Sequence, residues 1–176
     1  MEYRKSSMEN VMIETPRLIL REFVPEDLAG LYSLYEESDT RFLEPLSENR
    51  EEELEKLKSY IHYIYGFYGF GLWAVCLKES GRLIGRCGLQ VEFIGEQGDY
   101  ELGYMISGKY QRMGYGREAV RAILSYAGEE LEAPRVILRI DRENTASRRF
   151  AEEIGFHLSP RKLEAEPNVL LYIYDL

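Results

Sequence analysis

Two cysteines, two histidines, one tryptophan and six prolines are all that the 176 residues hold of those types, and each scarcity closes a route. Two thiols cannot build a disulfide framework, and Cys76 and Cys87, in strand-like segments, read as reduced core residues. His62 and His157 are the only imidazoles, and neither stands at ligand spacing with a second metal-binding side chain, so no metal is expected. No apolar run approaches the ~18 residues of a membrane span. The opening MEYRKSSMEN lacks the apolar stretch of a secretion signal, which leads to an expectation of a cytoplasmic protein with a flexible N-terminus over about 1–10. Positive charge is also short, 22 Lys and Arg against 31 Asp and Glu, for a formal charge of -9. That balance opposes nucleic acid and anionic membrane as partners and favours cationic ones such as amines.

What is present is a folding composition: 45% apolar residues, including 14 Tyr and 7 Phe, bury enough surface for a core without staples. No repeat, low-complexity tract or linker divides the chain, so one domain over 1–176 is expected, as monomer or homodimer. Residues 12–23 alternate as a first strand. Pro25 opens a helix with Leu28, Leu31, Leu34 and Tyr35 on one face. A second helix starts near Asn49, carries Leu54, Leu57, Ile61 and Ile64 as its stripe, and is expected to end at Gly66 and Gly69. Strand-like runs at 70–78, 82–94 and 99–107, with turns at Ser80-Gly81 and Gly95 to Gly98, predict an antiparallel meander.

From Gly114 a helix presents Val120, Ile123, Leu124, Ala127 and Leu131, and Pro134 precedes the strand RVILRID at 135–141, which is far enough along to run parallel. Asn144 to Ile154 predicts a last helix with Ala146, Phe150 and Ile154 inward and Gly155 as its C-terminal cap. Two strands flank Glu166-Pro167-Asn168. The expected class is α+β, a mixed and mostly antiparallel sheet of about seven strands flanked by about four helices.

Gly114 and Gly116 open a helix whose first N–H groups lack internal acceptors, and without Cβ they let an anion approach closely. Lys109, Arg112, Arg117 and Arg121 against Glu118 give residues 108–121 a net +3 inside an acidic chain. A P-loop is excluded by the missing Gly-Lys-Ser/Thr ending. A dinucleotide-binding oxidoreductase is the harder alternative, since GYGREA fits G-x-G-x-x-A and Asp141 closes the next strand. Against it, the first glycine comes seven residues after Ser107, the preceding strands form a meander, and too little chain remains for a second nucleotide half.

Gln111-Arg112-Met113-Gly114-Tyr115-Gly116 matches Q/R-x-x-G-x-G/A, and with TPRLILR at 15–21, ELGYMI at 101–106, GREA at 116–119 and N-x-x-S-x-x-F-x-x-x-x-G-F from Asn144 to Phe156 the chain resembles the GNAT superfamily of N-acetyltransferases. Together these motifs look like its ribosomal-protein-alanine acetyltransferase branch, over about 13–175. The resemblance implies acetyl-CoA as cosubstrate, its pyrophosphate on Gln111, Arg112, Met113, Gly114, Tyr115 and Gly116 with Arg117 beside them. It implies pantetheine amides on the main chain of Met105 and Ile106, between the strand ending near Ser107 and the one ending near Asp141. Asn144 and, less directly, Ser147 are implied on the pantetheine arm, although an Asn there also suits a helix N-cap and a Ser often bonds its own backbone.

Acetyl transfer to an amine needs a base, an oxyanion donor and a fate for the thiolate. Glu101 is the expected base: alternation sets Glu101, Gly103 and Met105 on one face of their strand, and the resemblance places a glutamate in the acceptor site. Asp99 is the reserve. A main-chain N–H near Met105 is the expected oxyanion donor. The tyrosine that many relatives use to protonate the thiolate is matched by Ala151, leaving water, Ser147, Tyr104 or Tyr172. Met105 stands where a tryptophan is common in this branch, and the run YIHYIYGFYGFGLW is expected to line core and substrate pocket. The acceptor is a peptide N-terminus or a small amine, with a noncatalytic acyl-CoA sensor as the competing reading.

Overall fold

The computed structural model describes residues 10–176, without the side chain of Gln97, so the expectation of a flexible N-terminus falls outside the described residues except at Asn10. There the Asn10 side chain donates to Glu22 at 3.1 Å. The elements are β1 (Val11–Glu14), β2 (Leu18–Arg21), α1 (Leu28–Glu36), α2 (Arg50–Tyr60), β3 (Leu72–Leu77), β4 (Leu83–Ile94), β5 (Gln97–Ile106), α3 (Tyr115–Glu129), β6 (Arg135–Asp141), α4 (Thr145–Ile154), β7 (His157–Leu158) and β8 (Val169–Asp175). The strands follow the sheet order β1-β2-β3-β4-β5-β6-β8-β7. This is the expected mixed, mostly antiparallel α+β class with four helices, but with eight strands among the described residues where about seven are expected. The single strand expected over 12–23 is two. Pro16 has no N–H to offer a ladder, and Thr15 closes a turn by donating its N–H to the Leu18 carbonyl at 2.9 Å and accepting from the Leu18 N–H at 2.9 Å.

Two units pack separately: the described residues up to Gly88 with Tyr104–Val120, and Leu89–Gly103 with Arg121–Leu176. The first unit buries Phe23, Leu31, Leu34, Leu57, Ala74, Cys76 and Met105 together, with Leu28, Tyr35 and Ile61 against them. Asp27 fixes the approach to α1 by taking both terminal nitrogens of buried Arg21, at 2.7 and 2.8 Å. Asn49 caps α2, accepting from the Glu51 and Glu52 amides. The helix then widens into a π turn over Ile61–Tyr65 and finishes with Gly66–Tyr68, so Gly66 does not end it. Gly69 does, in the left-handed region at φ 72°.

Tyr60 and Tyr65 explain why the chain stops there. The Tyr60 hydroxyl accepts from the Leu72 N–H at 2.7 Å and the Tyr65 hydroxyl donates to the Leu72 carbonyl at 2.6 Å, so two phenols complete the start of β3. The aromatic run expected to line core and pocket therefore divides: Tyr65 is buried, whereas Tyr63 and Phe67 face solvent, 67% and 81% exposed.

In the second unit β6 and β8 pair antiparallel from Arg135↔Asp175 to Asp141↔Val169, over a cluster of Ile94, Ile137 and Leu171. β5 and β6 run parallel, as expected, pairing at Tyr100↔Val136 and Glu101↔Ile137. Past Glu101, Leu102 and Gly103 have no register partner in β6 among the described residues. Gly155 ends α4 in the left-handed region at φ 120°, its N–H reaching the Ala151 and Glu152 carbonyls. The inner face of α4 differs from the expected one. Ala146 is exposed, while Ala151 and Ile154 are buried with Ser147 and Phe150 half-buried beside them, because the stripe follows i, i+3, i+4, i+7 from Ser147.

Candidate active site

β5 delivers the chain to the glycine loop. The Ser107 N–H donates to the Ile84 carbonyl of β4 at 2.8 Å, so strand alternation turns the neighbouring Ile106 amide and carbonyl to the edge away from β4. The Ile106 carbonyl accepts from the Gln111 side-chain amide at 2.9 Å and keeps a second lone pair. Met105 packs its side chain into the core of the first unit, and its carbonyl lies where any Cβ on Gly85 would collide with it. Met105, Ile106 and Gln111 thus belong to one local assembly.

The loop entry is fastened to Glu37, just past the end of α1. Buried Ser107 donates its hydroxyl to the Glu37 carboxylate at 2.7 Å, Lys109 pairs with it at 2.6 Å, and the Gly108 N–H reaches the Glu37 carbonyl at 3.0 Å. Lys109 first, then Ser107, hold the Glu37 carboxyl below the usual carboxylate range. Lys109, one of the four local cations, is therefore already committed.

Arg112 at φ 62° and Gly114 at φ 84° put two left-handed residues into the turn before α3, and the Gly114 carbonyl accepts the first helical bond, from Glu118 N–H at 3.0 Å. Position alone then leaves the amides of Tyr115 and Gly116 without acceptors four residues back, at the positive end of the helix dipole. Gln111, Arg112, Met113 and Gly114 are exposed, and Arg112 has no ion pair among the described residues. An exposed turn with left-handed residues at Arg112 and Gly114, leading into a helix N-terminus, fits a diphosphate.

Three residues of this loop's surroundings were not assigned a role from sequence. Arg17 donates through Nε to Glu118 Oε2 at 2.6 Å and through Nη1 to the Met113 carbonyl at 2.9 Å, and its guanidinium lies 4.3 Å from the centre of the Tyr115 ring. The Thr15 hydroxyl donates to Glu118 Oε1 at 2.6 Å. TPRL and GREA are both visible motifs, but 101 positions separate Arg17 from Glu118, and no local pattern announces such a pairing.

In the second unit Glu101 is half-buried on β5. Arg139 of β6 donates to both its oxygens at 3.1 Å, and also pairs with Glu92 at 3.0 Å and Glu166 at 2.9 Å, one guanidinium serving three carboxylates. Asp99 is buried and clasped by Arg135 at 2.7 and 2.8 Å, an ion pair that closes off the reserve base. Asn144 is the N-cap of α4: its Oδ1 accepts from the Ser147 N–H at 3.1 Å, which joins two expected cofactor residues in one cap. Tyr172 is fully buried, its hydroxyl donating to Glu152 at 3.1 Å and accepting from Arg148 at 3.2 Å. Ala151 is fully buried and offers no proton. Tyr104, in the first unit, is half-buried on β5. No three His, Cys, Asp or Glu side chains gather as a metal site among the described residues.

Residues 17–157 match the family model described as an acetyltransferase (GNAT) domain. The Bacillus subtilis N-acetyltransferase YnaD is 31% identical over 143 residues, 81% of each chain. YkkB of the same organism is 39% identical over 88 residues, so the chain spans about half of that protein's length, 51%. An Agrobacterium tumefaciens acetyltransferase structure superposes with a TM-score of 0.78 at 24% identity, covering 93% of this chain and 94% of that one. A RimL ribosomal-protein acetyltransferase structure solved with coenzyme A superposes at 0.73 and 16% identity, covering 95% and 98%, and shares the fold. The chain belongs to the GNAT acetyltransferase family.

Proposed function

We propose that this protein transfers the acetyl group of acetyl-CoA directly to a primary amine, on a peptide or protein N-terminus or a small molecule. The observation that carries the reading is the left-handed Arg112 and Gly114 pair opening the exposed N-terminus of α3, in a chain whose family is the GNAT acetyltransferases. The loop from Gln111 to Gly116 takes the diphosphate of the cosubstrate. The Ile106 main chain, turned away from β4, offers the pantetheine arm a donor and an acceptor.

The amine nitrogen attacks the thioester carbonyl carbon, a C–N bond forms, and the C–S bond breaks as the tetrahedral intermediate collapses. An alkyl ammonium with a pKa near 10 and an N-terminal ammonium near 8 must each lose a proton before attack, and a base helps most with the former. Glu101 receives that proton, directly or through a water, while the Arg139 fork holds its carboxylate in one orientation. A main-chain N–H at the end of β5 stabilises the oxyanion, a contact worth about 3 kcal/mol where it has been removed elsewhere.

The Tyr172 hydroxyl is spent on Glu152, so water, Ser147 or Tyr104 meets the departing thiolate. With a thiol pKa of about 8.5 the leaving group needs no strong acid near neutrality. The charge of -9 favours cationic acceptors. Purified protein mixed with acetyl-CoA and a panel of peptides, polyamines and amino sugars should release free CoA thiol; binding of coenzyme A with no release across the panel overturns the catalytic reading in favour of a sensor.

A further inference from the structure

We infer that Arg17 is a positioning residue for the cosubstrate loop, acting with Thr15 and Glu118 as a clamp that sets the Gly114 amide before any ligand arrives. The inference rests on the reading that this loop holds the diphosphate of acetyl-CoA. Glu118 poses the problem to be solved. A carboxylate at the start of a helix meant to hold a diphosphate repels its own ligand. Both of its oxygens are taken: Oε1 by the Thr15 hydroxyl at 2.6 Å and the Arg17 main-chain N–H at 2.9 Å, Oε2 by Arg17 Nε at 2.6 Å. Burial alone would raise the Glu118 pKa, yet the Thr15 and Arg17 hydrogen bonds outweigh it and lower it.

The second arm of the guanidinium works on the backbone. Arg17 Nη1 holds the Met113 carbonyl at 2.9 Å. In a planar trans peptide the carbonyl and the following N–H point in opposite directions, so the Gly114 amide is fixed facing away from the β1–β2 turn. Gly114 sits at φ 84°, a conformation that costs a side chain strain, and a Cβ there would come within 3.2 Å of the Arg17 guanidinium. Stacking of Arg17 over Tyr115 at 4.3 Å fixes the plane of the fork. One residue thereby neutralises the misplaced negative charge and orients a ligand amide, without itself touching the ligand.

The test measures coenzyme A binding by calorimetry, the acetyl-CoA and acceptor KM values, and amide hydrogen exchange across 112–118. Arg17→Ala is expected to weaken coenzyme A binding roughly ten- to hundredfold, the scale on which displaced positioning groups act, to raise the acetyl-CoA KM in step, to leave the acceptor KM unchanged, and to speed exchange in the loop. Arg17→Lys guards against a merely unfolded variant. A single ammonium keeps the charge but cannot serve Glu118 and the Met113 carbonyl as a fork, so it should recover only part of the affinity. Full recovery by Lys, or wild-type affinity and loop exchange in Arg17→Ala, overturns the clamp while leaving the loop as the binding site. A wild-type protein that does not bind coenzyme A overturns both readings.

Discussion

Glu101 and the two cysteines sit in opposite surroundings, and each surrounding makes a measurable claim. Arg139 grips both Glu101 oxygens at 3.1 Å, leaving lone pairs for one proton donor. Glu101→Gln keeps the shape, so kcat should fall about a hundredfold or more while the dissociation constant for coenzyme A stays put; steady-state kinetics beside calorimetry reads both. Unchanged kcat removes Glu101 from the chemistry. Cys76, buried, has its pKa pushed up to about 11, and wholly buried Cys87 is raised too. Neither should react with an aromatic disulfide reagent in the native protein at pH 8, and both should react after denaturation. Glu101 stands out in the sequence through alternation on β5 and through the resemblance. Its Arg139 partner does not, because it lies 38 positions away and only the parallel register of β5 and β6 brings them together.

At the scale of elements, the π turn in α2 shows where helical periodicity loses the thread. A strict stripe runs from Leu57 through Ile61 to Ile64, yet the wider turn buries Tyr65 and sends its hydroxyl to the Leu72 carbonyl at 2.6 Å. Tyr65→Phe strands that carbonyl and the Phe23 N–H, which reaches the same hydroxyl at 3.2 Å. Loss of stability of about 1–3 kcal/mol is expected in urea titration. The start of α2 was readable because Asn49 and three acidic residues are local signals, as was the Gly155 stop. The β1–β2 turn was missed because alternation continues across Thr15 and Pro16.

The fastenings of the glycine loop predict a pH dependence. Glu37 and Glu118 both have lowered folded-state pKa values, so their contribution is fully present above the unfolded value of about 4.3 and is lost as pH falls through the folded values. Melting curves for wild type and Glu118→Gln should differ at pH 6–7 and converge at more acidic pH. A gap that widens with acid contradicts the assignment.

For the whole molecule, the fold class and the family were visible in a single chain, because they depend on short motifs and on the order of elements. The acceptor was not, since an amine is chosen by surfaces that no short motif encodes, and a formal charge of -9 gives only a sign. The central claim is that main-chain amides ahead of α3 hold the diphosphate of acetyl-CoA. It is tested most directly by titrating coenzyme A calorimetrically into wild type and Gly114→Val. A β-branched residue cannot occupy φ 84° without strain, so wild type should bind and the folded variant should lose roughly tenfold or more in affinity; no heat with wild type, or equal binding by both, would contradict the claim.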